Sequence, residues 1–209
     1  SFGKDKHPLY TAEMLQEILL GLNSLCRGTE SKFFNGHSNI ADNRFLTFGL
    51  PALENVSENV RNAMLMQILS YMSYALLSRG RSAAVIDELH YFLANPIAPP
   101  YIRGFMKRVR KKESNVVLAS QNLEDFSLPE IRELTKPLFS IPSHAFLFNA
   151  GNIDARFYME TLQLEESEYE LIKYPEQGAC LYKCGAERYN LKVIAPEYKA
   201  RLFGKAGGR

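Results

Sequence analysis

The feature that most constrains this fold is an apolar run that leads directly into two adjacent carboxylates, Asp87 and Glu88. The run itself, Ala83–Ile86, is short, ends in β-branched residues and contains no polar side chain. Such a run is typical of a strand in a parallel sheet that is covered on both faces. We therefore predict a buried strand with both acids at its carboxyl end, where open α/β sheets bind their ligands.

Two acids at such a position have complementary uses in phosphate chemistry. Asp87 is a candidate to hold Mg²⁺ through the water shell of the ion. Glu88 is a candidate to polarise the water molecule that attacks a terminal phosphate. The alternative interpretation is a strand that ends in a solvated acidic turn, because short motifs also occur by chance.

A second buried strand is predicted over 115–120, and the polar residue Gln121 follows it. The segment between the two strands predicts a helix that runs to about Lys112. A crossover of this kind brings both strand ends to the same edge of the sheet. Gln121 is then a candidate to sense a γ-phosphate or to orient water. The alternative is that Gln121 bonds only to a neighbouring loop.

The crossover helix is predicted to pack an apolar stripe on the sheet and to carry basic residues elsewhere. The stripe has helical spacing and consists of Ile102, Phe105, Met106 and Val109. The basic residues, which we call the basic segment, are Arg103, Lys107, Arg108, Arg110, Lys111 and Lys112.

Three interpretations of the basic segment stay open. It is a solvated face, or it contacts nucleic acid or a partner through Arg103, Lys107 and Lys111. In the third, Arg108 or Arg110 is presented to the nucleotide of a neighbouring subunit.

Bulk composition favours one globular domain and argues against several classes of protein. The 209 residues are 46% hydrophobic and 23% charged, and the net charge is only +2. Three cysteines without a CxxC spacing argue against a disulfide framework and a zinc site. No segment approaches the roughly 18 apolar residues that span a bilayer, and no signal peptide opens the chain. We therefore expect a cytoplasmic protein without a membrane span, which leaves peripheral attachment through a partner open.

Helical and strand patterns alternate along the rest of the chain, which predicts an α/β fold with a largely parallel sheet. Helices are predicted to begin after the caps Thr11 and Ser57, and the helix after Ser57 is predicted to run to about Arg79. Further helices are predicted over 129–136 and, with acidic character, over 164–174. Strands are predicted over 45–50 and 145–148, and a hairpin over 178–184 and 189–195.

Three segments together resemble the C-terminal motor of the type IV secretion and conjugative-transfer ATPases. They are residues 85–90, residues 107–111 and residues 118–126. Further segments resemble the same family in the same order. Residues 33–39 and 43–48 precede the acidic strand, and the hairpin at 178–185 with Arg188 follows it. The match covers roughly residues 30 to 195.

The resemblance implies a RecA-like P-loop NTPase core, with a largely parallel sheet flanked by helices and a C-terminal β-hairpin. Residues 1–197 would form the C-terminal portion of that domain, and 198–209 a basic, disordered tail. The implied ligands are ATP, contacted by Asp87 and Arg188, and Mg²⁺, held by Asp87 through water. The implied partners are other copies in a homo-hexamer, other secretion or conjugation channel subunits and, non-specifically, DNA. The implied location is cytoplasmic, at the inner face of the cell membrane.

One departure from the family pattern is large. The phosphate-cradling loop GxxxxGK[ST] does not occur in these residues, and Gly3-Lys4-Asp5 is no substitute for it. Without such a loop, triphosphate binding loses its main anchor. We therefore expect a partial domain that is inactive alone and that regains Mg²⁺-dependent hydrolysis when the missing segment is added.

Two other functions compete with a motor. In the first, the chain is a docking module that hydrolyses no nucleotide. In the second, it is a translocase domain that binds DNA through its basic residues. Charge reversal at Arg103 and Lys107 that blocks assembly but spares ATPase activity would favour docking. A steep salt dependence would favour DNA binding.

Overall fold

The computed structural model forms two compact units, residues 1–68 and 69–209. The boundary between the units falls inside one helix. The described residues are 11–38, 40, 43–93, 95–121, 123, 126, 131–149, 154–174 and 176–204.

The described part of the first unit is helical. Its elements are α1 (Ala12–Cys26), α2 (Ser31–Phe34), a 3₁₀ turn (Pro51–Asn55) and the start of α3 (Glu58–Tyr74). Thr11 Oγ1 accepts a hydrogen bond from Met14 N at 3.2 Å, and Ser57 Oγ accepts one from Val60 N at 3.4 Å. Both hydroxyls satisfy N–H groups that a helix start leaves unpaired, so both predicted helix starts are confirmed.

The predicted strand over 45–50 is wrong. These residues are described, and they form neither a strand nor a ladder. Phe45 is 87% exposed, and a 3₁₀ turn begins at Pro51. Because a strand is stable only when another strand pairs with it, β-forming residues alone were not enough here. The described part of this unit contains no strand.

The second unit begins within α3, which passes into a π turn (Ala75–Arg79) near the predicted helix end. Its strands are β1 (Ala83–Ile86), β2 (Asn115–Leu118), β3 (His144–Leu147), β4 (Ala179–Cys184) and β5 (Glu187–Lys192). Its helices are α4 (His90–Leu93), α5 (Ala98–Val109), α6 (Arg132–Ser140), α7 (Ala155–Leu162), α8 (Glu166–Glu170) and α9 (Glu197–Phe203). A 3₁₀ turn (Arg110–Lys112) follows α5. The predicted α/β class is confirmed.

Among the described strands, parallel pairing occurs between β1 and β2, and α5 connects them. The other three strands form an antiparallel sheet in the order β3-β4-β5. The hairpin of β4 and β5 turns at Gly185, as predicted. The sheet was expected to be largely parallel, but β3 pairs with β4 in the antiparallel direction.

The expectation that β1 is covered on both faces is wrong for the described residues. Ile86 is buried, but Val85 is 66% exposed and Val117, its partner in β2, is 51% exposed. Successive side chains of a strand point to opposite faces, so one face of this pair is packed and the other is open. An apolar sequence does not say whether another layer is present.

Helix α5 packs its predicted apolar stripe against β2, α6 and the π turn. Ile102 and Phe105 are fully buried, and Met106 and Val109 are nearly so. The buried hydroxyl of Ser114 donates to Leu76 O at 2.8 Å and accepts from Ser82 N at 3.2 Å. This serine therefore connects the π turn, the start of β1 and the start of β2.

A second core lies under the antiparallel sheet. Its buried members are Leu147, Tyr158, Tyr169, Ile172 and Leu181. Burial raises the pKa of Tyr158 to about 12, and its neutral hydroxyl donates to Phe148 O at 3.2 Å. The predicted acidic helix is present but shorter than expected, because α8 ends at Glu170. Helix α7, capped by Asp154, was not predicted.

The chain end differs from the predicted disordered tail at 198–209. Helix α9 covers its first residues, beginning after Pro196 and carrying an ion pair between Glu197 and Arg201. Pro196 suits a helix start because it has no N–H to leave unpaired. Residues 205–209 lie outside the described residues.

Candidate functional site

The carboxyl ends of β1 and β2 lie side by side. Their parallel register pairs Ala83 with Asn115 and Ile86 with Leu118. The connection continues past both strands, since Ala119 N donates to Ile86 O at 2.8 Å and Leu89 N donates to Ala119 O at 3.1 Å. The predicted meeting of the two strand ends at one sheet edge is therefore confirmed.

Side chains from the two strand ends make direct contact. Gln121 Nε2 donates to Glu88 Oε1 at 2.6 Å, across 33 residues of sequence. An amide N–H that donates to a carboxylate makes a short, strong hydrogen bond. The contact places an amide donor and a carboxylate at one point on the edge of the sheet that the crossover was predicted to share.

The turn after β1 orients the two acids differently. Glu88 adopts a left-handed backbone with φ +50°, and its N–H donates to Asp87 Oδ1 at 3.0 Å. A left-handed backbone costs a residue with a side chain about 1–2 kcal/mol, so it persists only where the surroundings hold it. Asp87 is exposed at the rim, whereas the side chain of Glu88 is 33% exposed.

His90 is a further neighbour of Glu88, which no sequence pattern indicated. Its Nδ1 lies 3.3 Å from Glu88 Oε2, and its ring stacks on Tyr91 with a centroid separation of 4.5 Å. The available signal was its place two residues after Glu88, at the start of a helix. Spacing alone could not reveal the contact, because it depends on the left-handed turn at Glu88.

The arginines predicted to contact nucleotide have other neighbours in this structure. Arg108 is exposed, and its Nε donates to Gly104 O at 2.9 Å within α5. Arg110 is exposed at the start of the 3₁₀ turn. Arg188 lies on β5, where its Nη1 donates to the carbonyls of Gly185 and Glu187 at 3.0 and 2.9 Å.

Arg188 also connects the hairpin to α8. Its Nε lies 3.1 Å from Glu168 Oε1, and both side chains are largely buried. Glu168 Oε2 accepts a hydrogen bond from Glu165 N, which completes a capping box. Lys183 lies directly opposite Arg188 in the ladder, and burial followed by the charge of Arg188 lowers its pKa. The geometry of Arg188 thus supports a structural role, and its contact with a nucleotide stays a prediction.

The basic segment is mostly exposed. Arg103 is half-buried beside the apolar stripe, whereas Lys107 and Lys111 are exposed. Glu113 follows the 3₁₀ turn, and its carboxylate pairs with Arg81 at 3.1 Å. The segment therefore presents positive charge to solvent from one end of α5.

In the described part of the chain, no group of three or more histidine, cysteine, aspartate or glutamate side chains could hold a metal ion. An Mg²⁺ ion at Asp87 would therefore take most of its ligands from water and phosphate oxygens, as Mg²⁺ usually does at nucleotide sites. The exposed carboxylate at the strand end fits that mode of binding.

Every helix among the described residues is too short or too polar to span a bilayer.

Two curated proteins are similar in sequence to this chain. It is 30% identical over 177 residues to the second part of the probable conjugal transfer protein TrbE of Sinorhizobium fredii, a match that covers 82% of this chain and 24% of that protein. It is 28% identical over 118 residues to the type IV secretion system protein CagE of Helicobacter pylori, covering 54% of this chain and 12% of CagE. No protein-family model matches the chain.

A solved structure extends the similarity to the fold. VirB4 of Thermoanaerobacter pseudethanolicus matches with a TM-score of 0.78 and 25% sequence identity, over 90% of this chain and 52% of that one. The chain thus spans about a quarter or less of the curated relatives and about half of the solved structure. With the parallel β1–β2 pair and its acidic end, these similarities support the predicted resemblance of the chain to a C-terminal region of the type IV secretion and conjugative-transfer ATPases.

Proposed function

We propose that this chain is part of a motor ATPase that powers conjugative DNA transfer or type IV secretion by ATP hydrolysis. The observation that carries the proposal is the Glu88–Gln121 hydrogen bond of 2.6 Å at the end of a parallel strand pair, next to Asp87. A carboxylate within reach of an amide donor is the arrangement needed to activate and orient an attacking water.

Each residue has a separate role in this proposal. Glu88 accepts a proton from the attacking water, and Gln121 orients Glu88 and reports the terminal phosphate. Asp87 would hold Mg²⁺ through water, and the ion when bound neutralises charge on the phosphate oxygens. Arg108 or Arg110 would contact the nucleotide of a neighbouring subunit, and Arg188 would contact the nucleotide itself.

The assembly around the site belongs to the same proposal. The complete protein would act as a homo-hexamer with other channel subunits, at the cytoplasmic face of the cell membrane. The phosphate-cradling loop does not occur in these residues, so we propose that they hydrolyse ATP only together with a segment that supplies it. Tests of activity therefore belong on the complete gene product.

Replacing Asp87 with asparagine tests the proposed metal site. We expect hydrolysis at saturating Mg²⁺ to fall about 10²-fold or more, because the metal supplies several kcal/mol of charge stabilisation in such reactions. The measurement is phosphate release over a range of Mg²⁺ concentrations.

The matched control is Asp154→Asn, since asparagine still caps α7. This variant should hydrolyse ATP like the wild type. If the Asp87→Asn protein has the same Mg²⁺ dependence as the wild type, Asp87 does not hold the metal ion.

The exposure of the basic segment favours non-specific DNA binding as a second candidate function. Reversing Lys107 and Lys111 to glutamate should weaken binding to DNA of any sequence. The slope of log K against log salt concentration should also become shallower, by about 0.9 for each phosphate that the protein no longer neutralises. Fluorescence anisotropy with labelled duplexes at several salt concentrations measures both quantities.

Reversal of Lys136 and Lys173, which pair with Glu133 and Glu170 elsewhere in the unit, is the matched control. DNA binding that does not respond to salt would exclude this function. A basic-segment variant that keeps ATPase activity and DNA binding but fails to assemble would instead favour docking to other subunits.

A further inference from the structure

The carboxylate of Glu88 has a neighbour at each oxygen. Gln121 Nε2 donates to Oε1 at 2.6 Å, and His90 Nδ1 lies 3.3 Å from Oε2. The two neighbours come from different elements, since Gln121 follows β2 and His90 begins α4. The carboxylate therefore lies between two nitrogen atoms that reach it from separate parts of the fold.

The environment of His90 Nδ1 makes this contact informative. The atom is shielded from solvent and has no aligned hydrogen-bond partner among the described residues. A shielded polar nitrogen without a partner is costly, so its nearest acceptor is its natural partner. That acceptor is Glu88 Oε2, and a small rotation of either side chain would align a hydrogen bond.

The position of the imidazole is set by packing. Leu89, Phe92 and Leu93 are buried and anchor α4, which begins at His90. The ring stacks on Tyr91 with an interplanar angle of 29°. The side chain of His90 is 35% exposed, so its outer edge meets solvent while Nδ1 is turned towards Glu88.

We propose that His90 is a positioning residue for Glu88. His90 and Gln121 each hold one carboxylate oxygen, and together they keep the general base in the orientation that accepts a proton from water. This role rests on the proposed ATP hydrolysis. Without His90 the carboxylate would have one tether and more rotational freedom, and misplacement of a catalytic group lowers the chemical step rather than substrate binding.

The first test separates the imidazole nitrogen from the bulk of the ring, in the complete gene product. His90→Phe keeps a flat ring that can stack on Tyr91 but has no nitrogen, and we expect kcat for ATP hydrolysis to fall about tenfold with KM unchanged. His90→Asn places an amide nitrogen near the position of Nδ1, and we expect it to recover most of the wild-type kcat. His144→Phe is the matched control, because His144 bonds to Tyr182 on the antiparallel sheet, and it should leave kcat unchanged.

The outcomes of this test are distinct. A wild-type kcat in His90→Phe would overturn the proposal, and so would an equal loss of kcat in the phenylalanine and asparagine variants. A fall in kcat that the asparagine variant recovers would support it, since a purely packing role predicts that phenylalanine is the better substitute.

A second test does not require hydrolysis. The ¹⁵N resonance of His90 Nδ1 should move when Glu88 is replaced by glutamine. It should stay in place in Glu113→Gln, which removes the carboxylate that pairs with Arg81. An Nδ1 resonance that ignores Glu88→Gln would overturn the contact. A wild-type protein that hydrolyses no ATP would instead overturn the proposed function, and this measurement would still decide whether His90 holds Glu88.

Discussion

Replacement of Glu88 by glutamine is expected to lower kcat for ATP hydrolysis by about 10²–10⁴-fold, the range that a general base contributes. The substitution keeps the length of the side chain, and the new amide oxygen can still accept the hydrogen bond from Gln121. It removes the ability to take a proton from water. Phosphate release at saturating ATP and Mg²⁺ measures the loss, and a separate titration should find ATP affinity nearly unchanged.

The control for this variant is Glu113→Gln. Glu113 is also a glutamate with a side-chain partner, but its side chain is 74% exposed and its partner is Arg81. An exposed ion pair contributes at most about 1 kcal/mol, so this variant should keep both fold and activity. Hydrolysis that survives Glu88→Gln but needs Mg²⁺ would mean that another residue is the base.

Replacement of Gly178 by alanine is expected to destabilise the second unit by about 2–5 kcal/mol, from an unfavourable backbone and overpacking together. Gly178 has φ +80°, and a Cβ built there would lie 2.2 Å from the carbonyl oxygen of Val193. That oxygen belongs to the backbone, and Val193 N donates to Gly178 O at 2.8 Å. The backbone segments at Gly178 and Val193 therefore cannot move apart without losing this hydrogen bond. Urea unfolding followed by tyrosine fluorescence measures the effect, because the chain contains no tryptophan.

Gly185→Ala separates the clash from the backbone strain. Gly185 also has a positive φ, +59°, but no heavy atom lies within 4 Å of its added Cβ. This variant should lose only about 1–2 kcal/mol, the cost of a left-handed alanine. Equal losses at the two positions would mean that the close approach at Gly178 relaxes freely and contributes nothing.

Local sequence patterns were sufficient to predict where much of the candidate site lies. An apolar run that ends in Asp87 and Glu88 is followed by a crossover helix and a second strand. This order predicts two parallel strands whose carboxyl ends lie at the same edge of the sheet. That topology brings Glu88 and Gln121 to the same edge of the sheet, and their hydrogen bond is a finding of the structure. The stripe of α5 was equally readable, because helical spacing alone decides which side chains share a face.

The sequence by itself therefore determined the βαβ unit, the buried face of α5 and the approach of Gln121 to Glu88, since each follows from periodicity or from the handedness of a crossover. Only the tertiary structure decided the other features. Residues 45–50 form no strand, Val85 lies on an open face, Arg188 pairs with Glu168, and His90 turns Nδ1 towards Glu88. Each of these depends on which distant segment packs alongside or on one unusual backbone angle, and the spacing of residues along a chain contains neither.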